Sequence, residues 1–199
     1  QALYLMHNQS EGGLKSKVAE FAWCVKNWVR PLGCLKLGMP CQLMGTGMAF
    51  PWQSIKNVDL ANGNIVEDMK LGVDFARANQ APLFYPQAKV WSFFPTSTNV
   101  QLGQSKRWEH GHLAMILSEV PAMIWNALIK GQGALLAMAL DLSVPPLALL
   151  VGLIGGLTLV TGVLLVYFAF ASVAFYISLL ALILMAVAVL LAWWGWGRN

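Results

Sequence analysis

Charge is scarce and unevenly placed in this chain. Only 11% of its 199 residues are Asp, Glu, Lys or Arg, against about 25% in soluble domains. None occurs between Asp141 and Arg198. That gap excludes an ordinary soluble fold for the C-terminal quarter and points to lipid. Cysteine is scarce too. Cys24, Cys34 and Cys41 are odd in number and lack C-x-x-C spacing, which argues against a disulfide framework and a zinc site. Reduced thiols in a cytoplasmic domain are the simplest expectation. The formal net charge is +4, but the basic residues form no dense stripe. Nucleic acid is therefore excluded as a partner in favour of the positive-inside bias of a membrane protein. Residue 1 is Gln, and no signal-peptide pattern precedes the first apolar run. A fragment or a processed product is expected.

Two apolar runs fill the uncharged tract, Leu147 to Phe168 and about Val173 to Trp194. Each is about 22 residues long, enough to cross about 30 Å of hydrocarbon at about 1.5 Å per residue. Pro145-Pro146 suits a helix entry, and Phe168 to Ser172 a turn at the far face. Trp193, Trp194 and Trp196 form an aromatic belt before Arg198. Two spans bring the C-terminus back to its starting side, with Lys130 and Arg198 on the cytoplasmic face. A multi-pass protein of the cell's inner (plasma) membrane is expected, with its larger part cytoplasmic. Gly152, Gly155, Gly156 and Gly162 either admit a close helix neighbour or simply reflect the composition of membrane helices.

Upstream, the patterns are mixed. Gln1 to Met6 reads as a strand closed by the turn His7-Asn8-Gln9-Ser10. Leu14 to Val29 reads as a helix with Val18, Phe21, Ala22, Val25 and Val29 on one face, ended by Arg30-Pro31-Leu32-Gly33. Gln42 to Phe50 reads as a strand with Gly45 and Gly47 inside it, a pattern that suggests close approach of a ligand or of another backbone. Asn62-Gly63-Asn64 is a turn. Glu67 to Asn79 predicts a helix that buries Met69, Leu71, Val73 and Phe75. A further strand lies within Pro82 to Phe94. From Gln104 to Lys130 an amphipathic helix is expected, kinked at Pro121.

Three short motifs carry candidate chemistry. Gly45-Thr46-Gly47 lets backbone approach a substrate and offers a hydroxyl, although a turn or bulge accounts for it as well. Val66-Glu67-Asp68 puts two carboxylates at a helix start. There they favour the helix dipole as caps, or one of them serves as a base held ionised at neutral pH. Gln104-Ser105-Lys106-Arg107-Trp108 is a Q-x-x-R-W motif. Arg offers a fork of donors suited to a diphosphate, Trp a face for a sugar ring, and Gln bonds to hydroxyls. An Arg-Trp anchor at a membrane surface is the plainer alternative. His110 and His112 form an H-x-H pair, which on a helix does not share a face, so no metal site is expected.

In this order the motifs resemble the processive family 2 glycosyltransferases, such as cellulose and hyaluronan synthases. These carry a Gly-rich strand, an acidic E-D motif, Q-x-x-R-W, an interfacial helix and transmembrane helices. Arg107-Trp108-Glu109-His110-Gly111 matches the family's R-W-x-x-G extension, and the resemblance covers about residues 1 to 130. It implies an α/β fold. Residues 1–105 would be the acceptor-side, C-terminal part of a GT-A-like domain, 106–142 interfacial amphipathic helices, and 143–199 a two-helix transmembrane hairpin. It implies inverting transfer from a nucleotide-sugar to a glycan or lipid-linked acceptor at the membrane lipid. Asp68 would take the acceptor proton. Arg107 would steady the departing diphosphate, Gln104 and Trp108 would line the acceptor site, Gly45 and Thr46 would form its wall, and Glu67 would contact substrate.

The family binds a divalent cation, Mg or Mn, through a D-x-D motif and an earlier Asp. No D-x-D occurs here, and Asp59, Asp74 and Asp141 have neither that spacing nor a strand context. The metal ligands and the donor-binding half are therefore expected outside this chain. A gating-loop motif is also not visible. A polysaccharide-building transferase, a single-addition transferase acting on a polyprenyl-phosphate lipid, and a non-catalytic membrane subunit or anchor of a glycan-assembly complex all fit the pattern.

Overall fold

A computed structural model describes residues 1–8, 13–56, 58, 66–95, 97–168 and 171–197. The chain forms two compact units, Gln1–Val144 and Pro145–Asn199. The first is mixed. Strand β1 (Ala2–His7) pairs in parallel with β2 (Tyr85–Phe93), with Leu3 opposite Lys89, His7 opposite Phe93 and an irregularity between Ala2 and Leu3. A parallel pair needs a long crossover, and helices α1 (Leu14–Cys24), α2 (Arg30–Lys36), α3 (Trp52–Ile55) and α4 (Glu67–Arg77) lie within it. Leu3 and Leu5 of β1 are buried with Cys41 and Phe84, and Trp28 and Leu32 close over them.

The first helix does not stop at Pro31. A π-helical turn, Val25–Val29, joins α1 to α2, and the Arg30 N–H reaches back five residues to the Val25 carbonyl. Proline lacks an N–H, and its ring would clash with the carbonyl four residues back in a regular α-helix. The wider π turn relieves both problems, so the helix continues to Lys36.

Helix α4 buries Met69, Leu71, Val73 and Phe75, as its pattern predicts, together with Gly72 and Ala76. Such a set spans more than one face. Met69, Val73 and Ala76 join the core with α5 (Thr98–Lys130) and α6 (Gly133–Leu142). Leu71 and Phe75 instead pack on Leu43, with Phe50 stacked on Phe75. Gly72 lets Leu43 close in, since a Cβ there would lie 3.4 Å from its Cγ. Charge also ties α4 to α5, because Arg77 and Lys70 both bridge to Glu119.

Residues 42–50 form a loop with a bend at 45–47 and not the expected strand. The reason is backbone handedness. Gly45 has φ +79° and Gly47 φ +65°, a left-handed conformation outside the extended region. Helix α5 starts at Thr98, earlier than its apolar pattern suggests, because its first turns expose Val100 and Leu102. Gly131, left-handed at φ 63°, ends it, and α6 folds back through Leu135, Met138, Ala139 and Leu142. The turn at Asn62-Gly63-Asn64, Asp59 and Arg198 lie outside the described residues, as do parts of the turns expected after His7 and after Phe168.

The second unit is a pair of apolar helices, α7 (Leu147–Tyr167) and α8 (Ser172–Trp196). Phe175 packs on Gly162, where a Cβ would lie 3.2 Å from the ring. An added Cβ at Gly152, Gly155 or Gly156 would meet no neighbour, so close packing within the hairpin uses Gly162 alone of the four. Among the described residues three helices are long and apolar enough to cross a membrane, Asn99–Lys130, Leu147–Tyr167 and Ser172–Trp196, where two were expected. The most apolar stretch of the first is 28% buried in protein against 6% for each of the others. Its Met115, Val120, Met123 and Ala127 belong to the core of the first unit.

Candidate functional site

A cavity of about 530 Å³ opens in the first unit. The Gly-rich loop forms one wall. It is held by Gln1, whose side-chain Oε1 accepts from the Met44 N–H at 2.9 Å and whose Nε2 donates to the Thr46 carbonyl at 2.8 Å. The Ala2 N–H adds a bond to the Gly47 carbonyl at 2.7 Å. Clamped in this way, the loop lies against the start of α4. A Cβ on Gly45 would sit 3.3 Å from Asp68 Oδ2. Only glycine combines that approach with the left-handed backbone. Gly47 is equally confined, since a Cβ there would meet Val90 at 2.9 Å and Ala2 at 3.0 Å.

Asp68 is half-buried and borders the cavity, whereas Glu67 beside it is exposed. Burial raises the Asp68 carboxyl above the usual carboxylate range. The Met69 N–H and the Lys26 ammonium pull it down, and Glu67 pushes it up, with a net upward direction. A helix start alone would have lowered it; desolvation by the packed loop outweighs the dipole. Asp68 is thus a better proton acceptor than an exposed aspartate.

Another wall comes from α1, the π turn and the start of α2, which supply Trp23, Lys26, Asn27 and Arg30. Crowding by protein atoms lowers the Lys26 pKa, while Asp68 raises it and Arg30 lowers it. Its side chain nonetheless keeps contact with solvent. The ammonium lies 5.5 Å from the centre of the Trp23 ring. Trp23 in turn packs on Trp108 of α5 and edge-on to Tyr4 of β1, each at 5.5 Å between ring centres. These three rings give the cavity an aromatic side.

A third group closes the far end. The Asp141 carboxylate at the end of α6 receives Arg30 Nε at 2.6 Å and Gln42 Nε2 at 2.8 Å. Arg30 also bonds the Asp141 carbonyl. His112 Nε2 lies 3.0 Å from the Leu142 carbonyl and anchors α5 to the same end of α6. All three cysteines are free. Burial pushes the Cys41 thiol up to about 12, so it acts as packing and not as a nucleophile.

Of the residues the motifs single out, the cavity gathers Gly45, Thr46, Glu67, Asp68 and Trp108. Gln104 and Arg107 are not among its lining, and Arg107 is exposed. Gln1, Trp23, Lys26, Asn27, Arg30 and Asp141 were not anticipated. A signal did exist for four of them. Trp23, Asn27 and Arg30, with Lys26 beside them, recur at three- and four-residue spacing, the side of α1 opposite its apolar stripe. Asp141 gave none, because its partners lie 99 and 111 residues away.

Among the described residues no three His, Cys, Asp or Glu side chains converge to hold a metal ion. Of the other two aspartates that line the cavity, Asp141 has its oxygens bonded to Arg30 and Gln42, and Asp74 is paired with Lys70 and Arg77. The described residues do not fit a divalent cation. In comparison with known proteins, a family model described as "Glycosyl transferase family group 2" matches residues 19–196. No curated protein and no solved structure gives a match.

Proposed function

This chain belongs to glycosyl transferase family group 2, and from that premise we propose that its cavity is the acceptor side of an inverting sugar-transfer site. The observation that carries the proposal is Asp68: a carboxylate made more basic by burial, pressed by a glycine loop, and facing an aromatic wall.

On this proposal an acceptor hydroxyl lies against Asp68 while its ring rests on Trp108. Asp68 takes the hydroxyl proton as the oxygen attacks the donor's anomeric carbon from the face opposite the nucleotide diphosphate. The glycosidic bond forms, the bond to the diphosphate breaks, and the anomeric configuration inverts. Thr46 and the backbone at Gly45 shape the acceptor wall, and Glu67 and Gln104 serve the substrate from its edges. Arg107, exposed and adjacent to Trp108, is assigned the leaving diphosphate. Lys26 balances the negative charge that gathers beside Asp68. A magnesium or manganese ion is expected with the nucleotide-sugar. Since the described residues do not fit it, its ligands and the donor site stay outside this proposal, and no step above depends on it.

The finer assignment is a membrane-bound, GT-A-type transferase of the cellulose and hyaluronan synthase kind. It would act on a glycan or lipid-linked acceptor at the inner membrane, with the first unit cytoplasmic. The competing role, a non-catalytic subunit, predicts that the carboxylates are only helix caps. Asp68→Asn and Glu67→Gln, made in the full-length membrane enzyme, separate the two. Asn caps a helix nearly as well as Asp, so the cap role predicts a loss of about 1 kcal/mol or less and unchanged transfer. The base role predicts that transfer falls about 10²-fold in Asp68→Asn, with donor binding kept, and little in Glu67→Gln. Transfer lost only in Glu67→Gln would move the base by one residue. Transfer kept in both well-folded variants would end the proposal.

A further inference from the structure

The Gly-rich loop runs along one side of α4. Asp68 and Gly72 are four residues apart on that helix and share a side. Leu43 seats on Gly72, where an added Cβ would lie 3.4 Å from its Cγ and 3.6 Å from its backbone N. Two residues further along, Gly45 seats on Asp68, where an added Cβ would lie 3.3 Å from Oδ2. The loop thus covers the carboxylate with bare backbone. How closely it lies decides how much water Asp68 meets.

Residues 42–47 belong to neither helix nor strand, and Gly45 and Gly47 have left-handed backbone. The course of the loop is imposed from outside, by two glutamines. Gln1 acts as a neighbouring strand would. Its side-chain amide accepts from the Met44 N–H and donates to the Thr46 carbonyl, so it brackets Gly45. Its other Nε2 proton goes to the Ala2 carbonyl at 2.8 Å. An amide supplies that acceptor and both donors, whereas a carboxylate would only accept. Gln1 is 9% exposed, so these bonds are shielded from water. At the other end of the loop Gln42 donates to Asp141, which Arg30 holds in place.

We infer that Gln1 and Gln42 are positioning residues for Asp68: Gln1 brackets Gly45, Gln42 ties the loop to Asp141, and together they hold the loop on the carboxylate. This rests on the reading of Asp68 as the base and deepens it. Both act through the loop and not on the reacting atoms. Loosening either end lets the loop lift and water reach Asp68, whose pKa then returns toward about 4, the ordinary carboxylate value. The base weakens, and the wall formed by Gly45 and Thr46 moves with it.

The test is the pH dependence of transfer by the full-length enzyme in detergent, with melting temperature and amide hydrogen exchange read on the same samples. Gln1→Met keeps the length of the side chain and removes its loop bonds. Gln42→Leu frees the other end while Arg30 stays on Asp141. Neither changes any charge, so a shifted profile reports the loop and not a lost charge. Each should move the midpoint of the acid limb below that of wild type. Each should also lower the plateau above it about tenfold, less than the roughly 10²-fold that about 1 Å of misplacement costs. In Gln1→Met the freed Met44 amide should exchange faster. Val73→Ala serves as the control, because Val73 lies in the core that α4 shares with α5 and α6. It should lower the melting temperature and leave the midpoint where it is.

Unchanged midpoints in Gln1→Met and Gln42→Leu overturn the inference, whether or not transfer falls, and a flat profile in Asp68→Asn would then leave the base reading standing. A Met44 amide that exchanges no faster overturns the part of Gln1. A midpoint that moves as far in Val73→Ala means that any loosening of α4 suffices, which also overturns the inference. If Asp68→Asn keeps the wild-type limb, the base reading falls and the inference with it. Should Gln1→Met not fold, Gln42→Leu decides alone.

Discussion

The two units treat buried polar atoms in opposite ways. In the hairpin, Thr158 and Thr161 donate to carbonyls one turn back, and Ser178 donates to the Phe175 carbonyl. Thr161 and Ser178 also meet each other across the helices at 3.1 Å. Lipid offers no hydrogen bonds, so a spanning helix must satisfy its polar atoms internally. The first unit does the reverse beside its cavity: Asn27 Oδ1 and Trp23 Nε1 are buried without a hydrogen-bond partner among the described residues, and the Asp68 carboxylate is half-buried. One region satisfies its polar side chains internally, and the other leaves some of them unpaired around a cavity.

That contrast breaks most severely where charge enters the hairpin. Leu157→Asp, at the middle of α7, should cost about 2.5–3.5 kcal/mol of insertion. Reporter fusions near Ala171 and at Asn199 should fall on opposite sides of the membrane in the parent chain and lose that pattern in the variant. The same change at Leu14, which is 80% exposed in the first unit, should shift stability by less than about 0.5 kcal/mol. Equal effects at the two sites would erase the distinction.

Next in size is Asp141. Its side chain is 11% exposed and that of Arg30 28%, so Asp141→Ala strands a partly covered guanidinium. A fully buried pair loses about 3–5 kcal/mol when broken. With solvent reaching Arg30, about 2 kcal/mol is expected, read as a lower melting temperature in detergent. Replacing both partners with apolar residues should restore most of it. A double variant as unstable as the single would show that the pair itself stabilises. The smallest effect is within the hairpin. Thr161→Val removes one interhelical hydrogen bond, worth about 0.6 kcal/mol in membrane proteins, measurable by equilibrium unfolding in mixed micelles.

The same division decides what was legible in the sequence. Periodicity located β1, α4, β2 and the hairpin, because a buried stripe or a lipid-facing run is a local pattern. Motif order located Asp68, Gly45 and Trp108 on one cavity. What escaped depends on distant partners or unusual backbone. Pro31 read as a helix end because the π turn that accommodates it has no simple sequence mark. Gly45 and Gly47 read as strand glycines although their left-handed backbone makes a bend. Apolar α5 read as interfacial alone, although its length and composition also suffice to cross a membrane. Gln1 and Asp141 act through partners 43 and 111 residues away, a separation no local pattern reports.

The central claim is that Asp68 is a base tuned by burial, and the pH dependence of transfer tests it most directly. Its folded pKa lies above the ordinary value, so the charged, proton-accepting form is populated only above that raised pKa. By linkage, the raised value also means that deprotonation costs stability as pH climbs from the usual carboxylate range through the folded pKa. Transfer by the full-length enzyme should therefore rise with pH along a limb whose midpoint lies above about 4, the ordinary carboxylate value. In Asp68→Asn that limb should vanish, leaving a low, flat residue of activity. A wild-type midpoint at or below the ordinary value, or an unchanged limb in Asp68→Asn, would contradict the account.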